Sequence, residues 1–222
     1  MKELPKDLPK DVLSVKIINL AHRTDRKEQA RKEMAALGWG DDDYSFFTAR
    51  HMPDAPARGC ALSHGKAIAD FLFAEEKPFL LVLEDDFTVR AGADLRAGLE
   101  AAISHAGFWD VFLLAHNAAI PIARTPVKDA FRVVNAQTAS AYLVGRLYAA
   151  RLMEMFFRSA EMQDRLKNIP SPAREMANTV FRCDILWKHL QENDRFCAQV
   201  PALTTQRASW SDIEKKMVDY GV

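Results

Sequence analysis

The sequence predicts an α/β fold with a mixed, mostly parallel central sheet flanked by helices. Three observations predict it. Phe79–Leu83 is apolar without a break and runs straight into three acids, Glu84, Asp85 and Asp86. A short continuous apolar run bounded by turn signals reads as a strand buried on both faces. Asp110–Ala115 is a second run of this kind, and Val15–Leu20 followed by a polar turn and a helical stretch gives strand–turn–helix.

Composition sets outer bounds. The 222 residues, 49% hydrophobic and 27% charged, suit one domain over residues 1–222, with 1–14 as an irregular lead-in around Pro5 and Pro9. Lys+Arg and Asp+Glu balance at 30 each, which gives no sign of a nucleic-acid partner. Three cysteines, Cys60, Cys183 and Cys197, are too few for a disulfide framework and read as buried thiols of a reducing compartment. The amino terminus lacks the apolar core of a signal peptide. No apolar run approaches the ~20 residues that span a bilayer, so there is no transmembrane segment in this reading. The expectation is a soluble cytoplasmic protein, with peripheral membrane contact left open.

Taken in order, Val15–Leu20 is the first strand. Arg26–Leu37 is a helix, with Thr24 or Asp25 as its cap and Gly38 as its stop. The layout is that of nucleotide-binding α/β domains, but the glycine fingerprint is absent, so a dinucleotide site is not expected. Arg23 and Arg26 read either as contacts to a diphosphate or base, or as solvated helix-end charge. Tyr44–Ala49 is a strand and Arg50–Arg58 a loop. A helix then starts at Gly59 and runs to about Glu76, with Ala61, Gly65, Ala69 and Leu72 near one face. That start places Ser63 and His64 in the first turn, where backbone N–H groups attract anions. Taken alone, His64 reads as a capping or packed histidine.

Lys77-Pro78 precedes the acidic strand. Ala91–Ala106 is helical, Asp110–Ala115 a strand, and Ile120–Lys128 a loop on its two prolines. Phe131–Val134 and Ala139–Val144 are strand-like and able to pair. Leu147–Phe157 is an amphipathic helix. Asp164–Asn178 is linker-like, a candidate loop over a site or an ordinary connection. Asp184 caps a helix to about Gln191, Phe196–Val200 is a short strand, and Ser211-Asp212-Ile213-Glu214 has the pattern of a capping box.

The acids carry the chemistry. At the carboxyl end of a buried strand they lie where open α/β sheets place ligands. Three adjacent carboxylates raise each other's pKa, and a hard cation such as Mg²⁺ or Mn²⁺ would relieve the repulsion. The plain alternative is a strand ending in solvent.

Several segments together resemble family 25 glycosyltransferases, the group of bacterial lipooligosaccharide galactosyltransferases and collagen galactosyltransferases. They are the NLAHRTDR turn, the GCALSH helix start, the LVLEDD strand end, the TASAYLVGR run and the late PAL…Q…SDI segment, spanning about residues 15–213. The resemblance implies a GT-A type nucleotide-sugar-binding fold and an inverting transfer of galactose from UDP-galactose to a saccharide or glycolipid acceptor. It implies a divalent metal, Mn or Mg, held by Glu84 and Asp86 as counterpart of the DxD motif. Asn19, Arg23, Arg26, Ser63, His64 and Asp85 would line the nucleotide-sugar cleft. Asp184 resembles the family's later acidic position and is the candidate general base; its plain alternative is a helix cap. One departure is that no histidine follows His189, so a late histidine metal ligand is missing. Two other classes stay open: a receiver- or phosphatase-like Mg²⁺ domain, and a non-catalytic nucleotide-sugar-binding protein.

Overall fold

The structure is a computed structural model, and it describes residues 11–211 and 216–218. Its first half is a regular alternation: β1 (Leu13–Asn19), α1 (Thr24–Ala36), β2 (Ser45–Thr48), α2 (Pro56–Ala74), β3 (Phe79–Glu84). A short β4 (Phe87–Val89) and α3 (Leu95–Ser104) lead to β5 (Val111–Leu113), β6 (Ile120–Arg124), β7 (Ala130–Val134) and β8 (Ala141–Gly145). Helices α4 (Arg146–Arg165), α5 (Ala173–Val180), α6 (Cys183–Leu186) and α7 (Lys188–Gln191) precede β9 (Phe196–Gln199). The described residues end with β10 (Thr204–Gln206), β11 (Ser209–Ser211) and β12 (Lys216–Val218).

Among the described residues the main sheet has the order β2-β1-β3-β8-β5-β9-β7-β6. Strands β8 and β7 run against the other six, so the sheet is mixed and mostly parallel, as expected. The apolar run of β3 serves both faces. Its pleat sends Leu80 and Val82 into a cluster under α2 and α4 with Phe71, Tyr142, Phe156 and Trp187. Leu81 and Leu83 go into a second cluster under α1 and α3 with Ile17, Met34, Leu99 and Phe112. Successive strand side chains point to opposite faces, so a sheet covered on both sides needs an unbroken apolar strand.

Several expectations are corrected. Helix α2 begins at Pro56, not Gly59, because proline suits the first helical turn. Ser63 and His64 therefore lie about two turns inside the helix and not at its anion-attracting end. The buried face of α2 carries His64, Ile68 and Phe71, while Ala69 and Leu72 are only partly covered. Neither Thr24 nor Asp25 caps α1, whose cap position is Arg23, which makes no side-chain capping bond; Gly38 ends it with φ +75°, as expected. Residues Ile120–Arg124, expected as loop, form an exposed edge strand, where Pro121 is tolerated.

The pairing expected between Phe131–Val134 and Ala139–Val144 does not occur. The first four residues of β8 are all buried, so it takes a central place between β3 and β5, while half-buried β7 lies near the edge beside β9 and β6. The helix expected from Asp184 to Gln191 is split at Trp187. Its fully buried indole donates to Ala136 O at 2.9 Å, and the side-chain amide of Gln191 donates to the same oxygen at 2.8 Å. Asp184 lies in the first turn of α6, with Arg182 at the cap, so it is not the N-cap. The linker-like stretch Asp164–Asn178 contains the end of α4 and most of α5. Ser211 belongs to β11; Asp212, Ile213 and Glu214 of the expected capping box lie outside the described residues. All three cysteines are free thiols; Cys183 and Cys197 are buried and Cys60 partly so.

Candidate active site

The chain leaves β1 toward β2 on one side, while β3 pairs with β1 on the other. Helix α1 packs on one face of the sheet and α2 on the opposite face. The connections after β1 and β3 therefore diverge, and an open α/β sheet has its ligand crevice at such a switch point. A cleft of about 150 Å³ opens there, lined by Arg26, Arg50, Cys60, Ser63, His64, Gln206 and all three acids.

Arg26, from the first turn of α1, is the hub. Its Nη1 lies 3.0 Å from Asp85 Oδ1 and 3.2 Å from Asp86 Oδ2, and its Nη2 donates to Ser209 Oγ at 2.7 Å and Trp210 O at 2.8 Å. Its Nε is buried and has no hydrogen-bond partner. Asn19, at the end of β1, donates to Asp85 Oδ2 at 2.7 Å and to Arg23 O at 3.1 Å, tying the turn to the acidic loop. Gln206, from β10, donates to Glu84 Oε2 at 3.2 Å and to Asp86 Oδ1 at 3.4 Å.

His64 is fully buried, stacked on Phe156 with ring centroids 4.9 Å apart. Its Nε2 lies 3.1 Å from Glu84 Oε1 and its Nδ1 3.1 Å from Tyr142 Oη. Burial opposes its protonation, but contacts with Cys60 and Glu84 outweigh that and raise the imidazole to about 10. Glu84 moves the other way: burial pushes its carboxyl up, and the His64 bond and charge bring it below the usual value. Asp85 and Asp86 are raised by burial; Asp86 reaches about 7 because the charge on Glu84 adds to burial while Arg26 opposes it.

Other sequence candidates fall at different places. Ser63 Oγ donates to Gly59 O at 2.6 Å and accepts from Arg50 N at 2.8 Å, so it fixes the loop that forms one cleft wall. Arg23 bonds Asp25 at 3.0 and 3.1 Å, holding that carboxyl down at about 2, and is not among the cleft residues. Asp184 does not line the cleft either; its Oδ2 accepts from Thr138 N at 3.4 Å. Burial raises its carboxyl, the Thr138 N–H opposes, and the charge on Glu84 adds to the upward push.

Cys60, Tyr142 and Gln206 lie in the GCALSH, TASAYLVGR and PAL…Q…SDI segments, and the sequence by itself points to no role for them. For Cys60 the signal was its i, i+4 spacing to His64, which puts both on one helix face. Gln206 and Tyr142 carried no comparable local signal.

The repulsion among the acids is relieved in part by protein cations. Three carboxyl groups crowd around Arg26 and His64, and burial and the charge on Glu84 together push Asp86 up. Glu84 Oε2 and Asp86 Oδ1 are held by the same neutral amide and not by a cation. Two hard oxygen donors in an acidic pocket fit a divalent ion of the Mg²⁺ or Mn²⁺ kind. No helix among the described residues is long and apolar enough to cross a membrane.

No family model and no curated protein matches the sequence. Solved structures are similar in backbone. A glycosyltransferase involved in glycosylation of the major capsid of PBCV-1 is 11% identical, with 92% of this chain and 96% of that chain covered and a TM-score of 0.46. Apo UDP-glucose pyrophosphorylase is 8% identical, with 84% and 72% covered and a TM-score of 0.45. A mannose-1-phosphate geranyltransferase from Thermus thermophilus is 11% identical, with 85% and 73% covered and a TM-score of 0.42.

Proposed function

We propose that the chain is an inverting, metal-dependent glycosyltransferase that moves a hexose, galactose by its family 25 resemblance, from a UDP-sugar to a saccharide or glycolipid acceptor in cell-surface glycan assembly. The observation that carries it is the acidic triplet at the switch-point crevice, built around an arginine whose buried Nε has no partner. An anionic diphosphate oxygen satisfies such a donor, and a charge-assisted bond to phosphate is among the stronger hydrogen bonds.

In this reading Glu84 and Asp86 would hold the divalent ion, whose chemistry when bound would be charge stabilisation of a leaving diphosphate. Arg26 aligns the diphosphate and keeps Asp85 and Asp86 in place. Asn19 fixes Asp85, and Ser63 and His64 hold the cleft wall and Glu84. Asp184 is the proposed base. Its raised carboxyl suits proton transfer nearer neutrality, and a base must come within about 3 Å of the acceptor hydroxyl. Asp184 does not line the cleft, so this role requires the acceptor to enter beside α6.

The test is calorimetry of UDP with and without Mn²⁺ on the parent and on Asp86→Asn, followed by assay of sugar release from UDP-galactose. The expected result is Mn²⁺-dependent UDP binding that Asp86→Asn abolishes while circular dichroism stays unchanged. Equal UDP–Mn²⁺ affinity in both proteins would sink the reading. Tight binding without sugar release or transfer would point to a non-catalytic nucleotide-sugar-binding protein.

A further inference from the structure

Cys60, His64 and Glu84 bring three unlike metal donors together: all their ligand atoms lie within 4.8 Å of one another. The two edges measured from Glu84 Oε1 are 3.1 Å to His64 Nε2 and 3.7 Å to Cys60 Sγ. Zinc bonds of about 2.3 Å to sulfur and 2.0–2.1 Å to nitrogen and oxygen, at tetrahedral angles, put such donors about 3.3–3.6 Å apart. These two edges match within a few tenths of an ångström, and the remaining sulfur–nitrogen edge lies under 4.8 Å. Cys60 and His64 are one helical turn apart on α2, and Glu84 ends the strand that α2 packs against. The other imidazole nitrogen, Nδ1, faces Tyr142 Oη at 3.1 Å, the outer hydrogen bond that fixes the ring of a metal-bound histidine. All three side chains line the cleft.

We propose that Cys60, His64 and Glu84 form a second metal site, selective for zinc over Mg²⁺ and Mn²⁺, in the wall of the cleft. Thiolate and imidazole are donors for zinc, whereas Mg²⁺ and Mn²⁺ favour all-oxygen sets. Binding takes the thiol proton from Cys60 and the proton from a charged His64, and both leave to solvent. The bound ion replaces the His64 charge beside Glu84 and fixes Glu84 Oε1, leaving Oε2 directed at Gln206. The site shares Glu84 with the proposed Mn²⁺ or Mg²⁺ site, through Oε1 instead of Oε2, but the two tests are separable: zinc binding read through the Cys60 thiolate does not require UDP, and UDP–Mn²⁺ binding does not require zinc.

The full chain, stripped with a chelator and kept reduced, is titrated with Zn²⁺ against a chromophoric competitor and separately loaded with Co²⁺. The expected result is one tightly held zinc per chain and a cobalt spectrum with tetrahedral bands and a thiolate charge-transfer band. Cys60→Ser should abolish that band and weaken zinc binding at least tenfold. Tyr142→Phe keeps the ligands and should weaken binding by about 10–100-fold, the usual effect of losing an outer hydrogen bond. If Cys60→Ser does not fold, the band and stoichiometry of the parent still decide. Absence of the thiolate band in the parent, or equal zinc affinity in a folded Cys60→Ser protein, overturns the proposal. A Mn²⁺ excess that displaces the zinc overturns its selectivity.

Discussion

At the residue scale, Asp184 separates a chemical role from a structural one. Its Oδ2 accepts from Thr138 N at 3.4 Å, and an amide oxygen accepts from that N–H as a carboxylate does. Asp184→Asn should therefore leave the melting temperature nearly unchanged. If Asp184 is the base, single-turnover rates fall by about 10²–10⁴, the usual share of general-base catalysis, with donor affinity retained. A variant keeping more than about a tenth of the parental rate moves the role elsewhere. Cys197 makes a different prediction. Burial pushes its thiol from the ordinary 9.0 to about 11. A group raised on folding stabilises fully below its unfolded value and loses that contribution as pH rises through the folded one. Stability should thus fall by about 2–3 kcal/mol between roughly pH 9 and 11 on this account. Urea titrations of the parent and of Cys197→Ala should show the variant losing less over that window.

At the scale of elements, the cleft wall depends on α2 meeting the Arg50–Met52 loop without a side chain between them. A Cβ on Gly59 would lie 2.6 Å from Arg50 O and 3.3 Å from Met52 Cβ. Backbone cannot yield as a flexible side chain can, so Gly59→Ala should cost about 1–3 kcal/mol, the range for forced overpacking. Gly107, with nothing within 4 Å of a built Cβ, is the control. Gly107→Ala should stay within about 0.5 kcal/mol by denaturant titration. The glycine of the GCALSH segment is therefore explained by a close approach, not by a turn.

At the scale of the molecule, one sheet carries two cores, and β3 contributes alternately to each. Leu81→Ala, on the α1/α3 side, should cost about 2–5 kcal/mol, and Phe71→Ala, on the α2/α4 side, about 3–5 kcal/mol. Both side chains are fully buried. Equilibrium denaturation with unchanged cooperativity checks both. A loss confined to one face would show the two layers unfolding separately.

The sequence by itself determined the strands that are buried on both faces, because an unbroken apolar run ending in Glu84-Asp85-Asp86 has no other stable place in an α/β layer structure. It also determined the opening strand–turn–helix and the placing of the acids at a strand's carboxyl end. Only the tertiary structure decided what neutralises those acids. Arg26 is 59 positions from Asp85, and Gln206 is 122 from Glu84, so no local spacing announces either contact. It likewise decided that β8 enters between β3 and β5, since pairing depends on which strands need cover on both faces and not on adjacency along the chain. His64 shows the boundary. Its spacing from Cys60 was legible, but its meeting with Glu84 and Tyr142 required α2 to lie on the sheet, and that packing is what turns three separate motifs into one site.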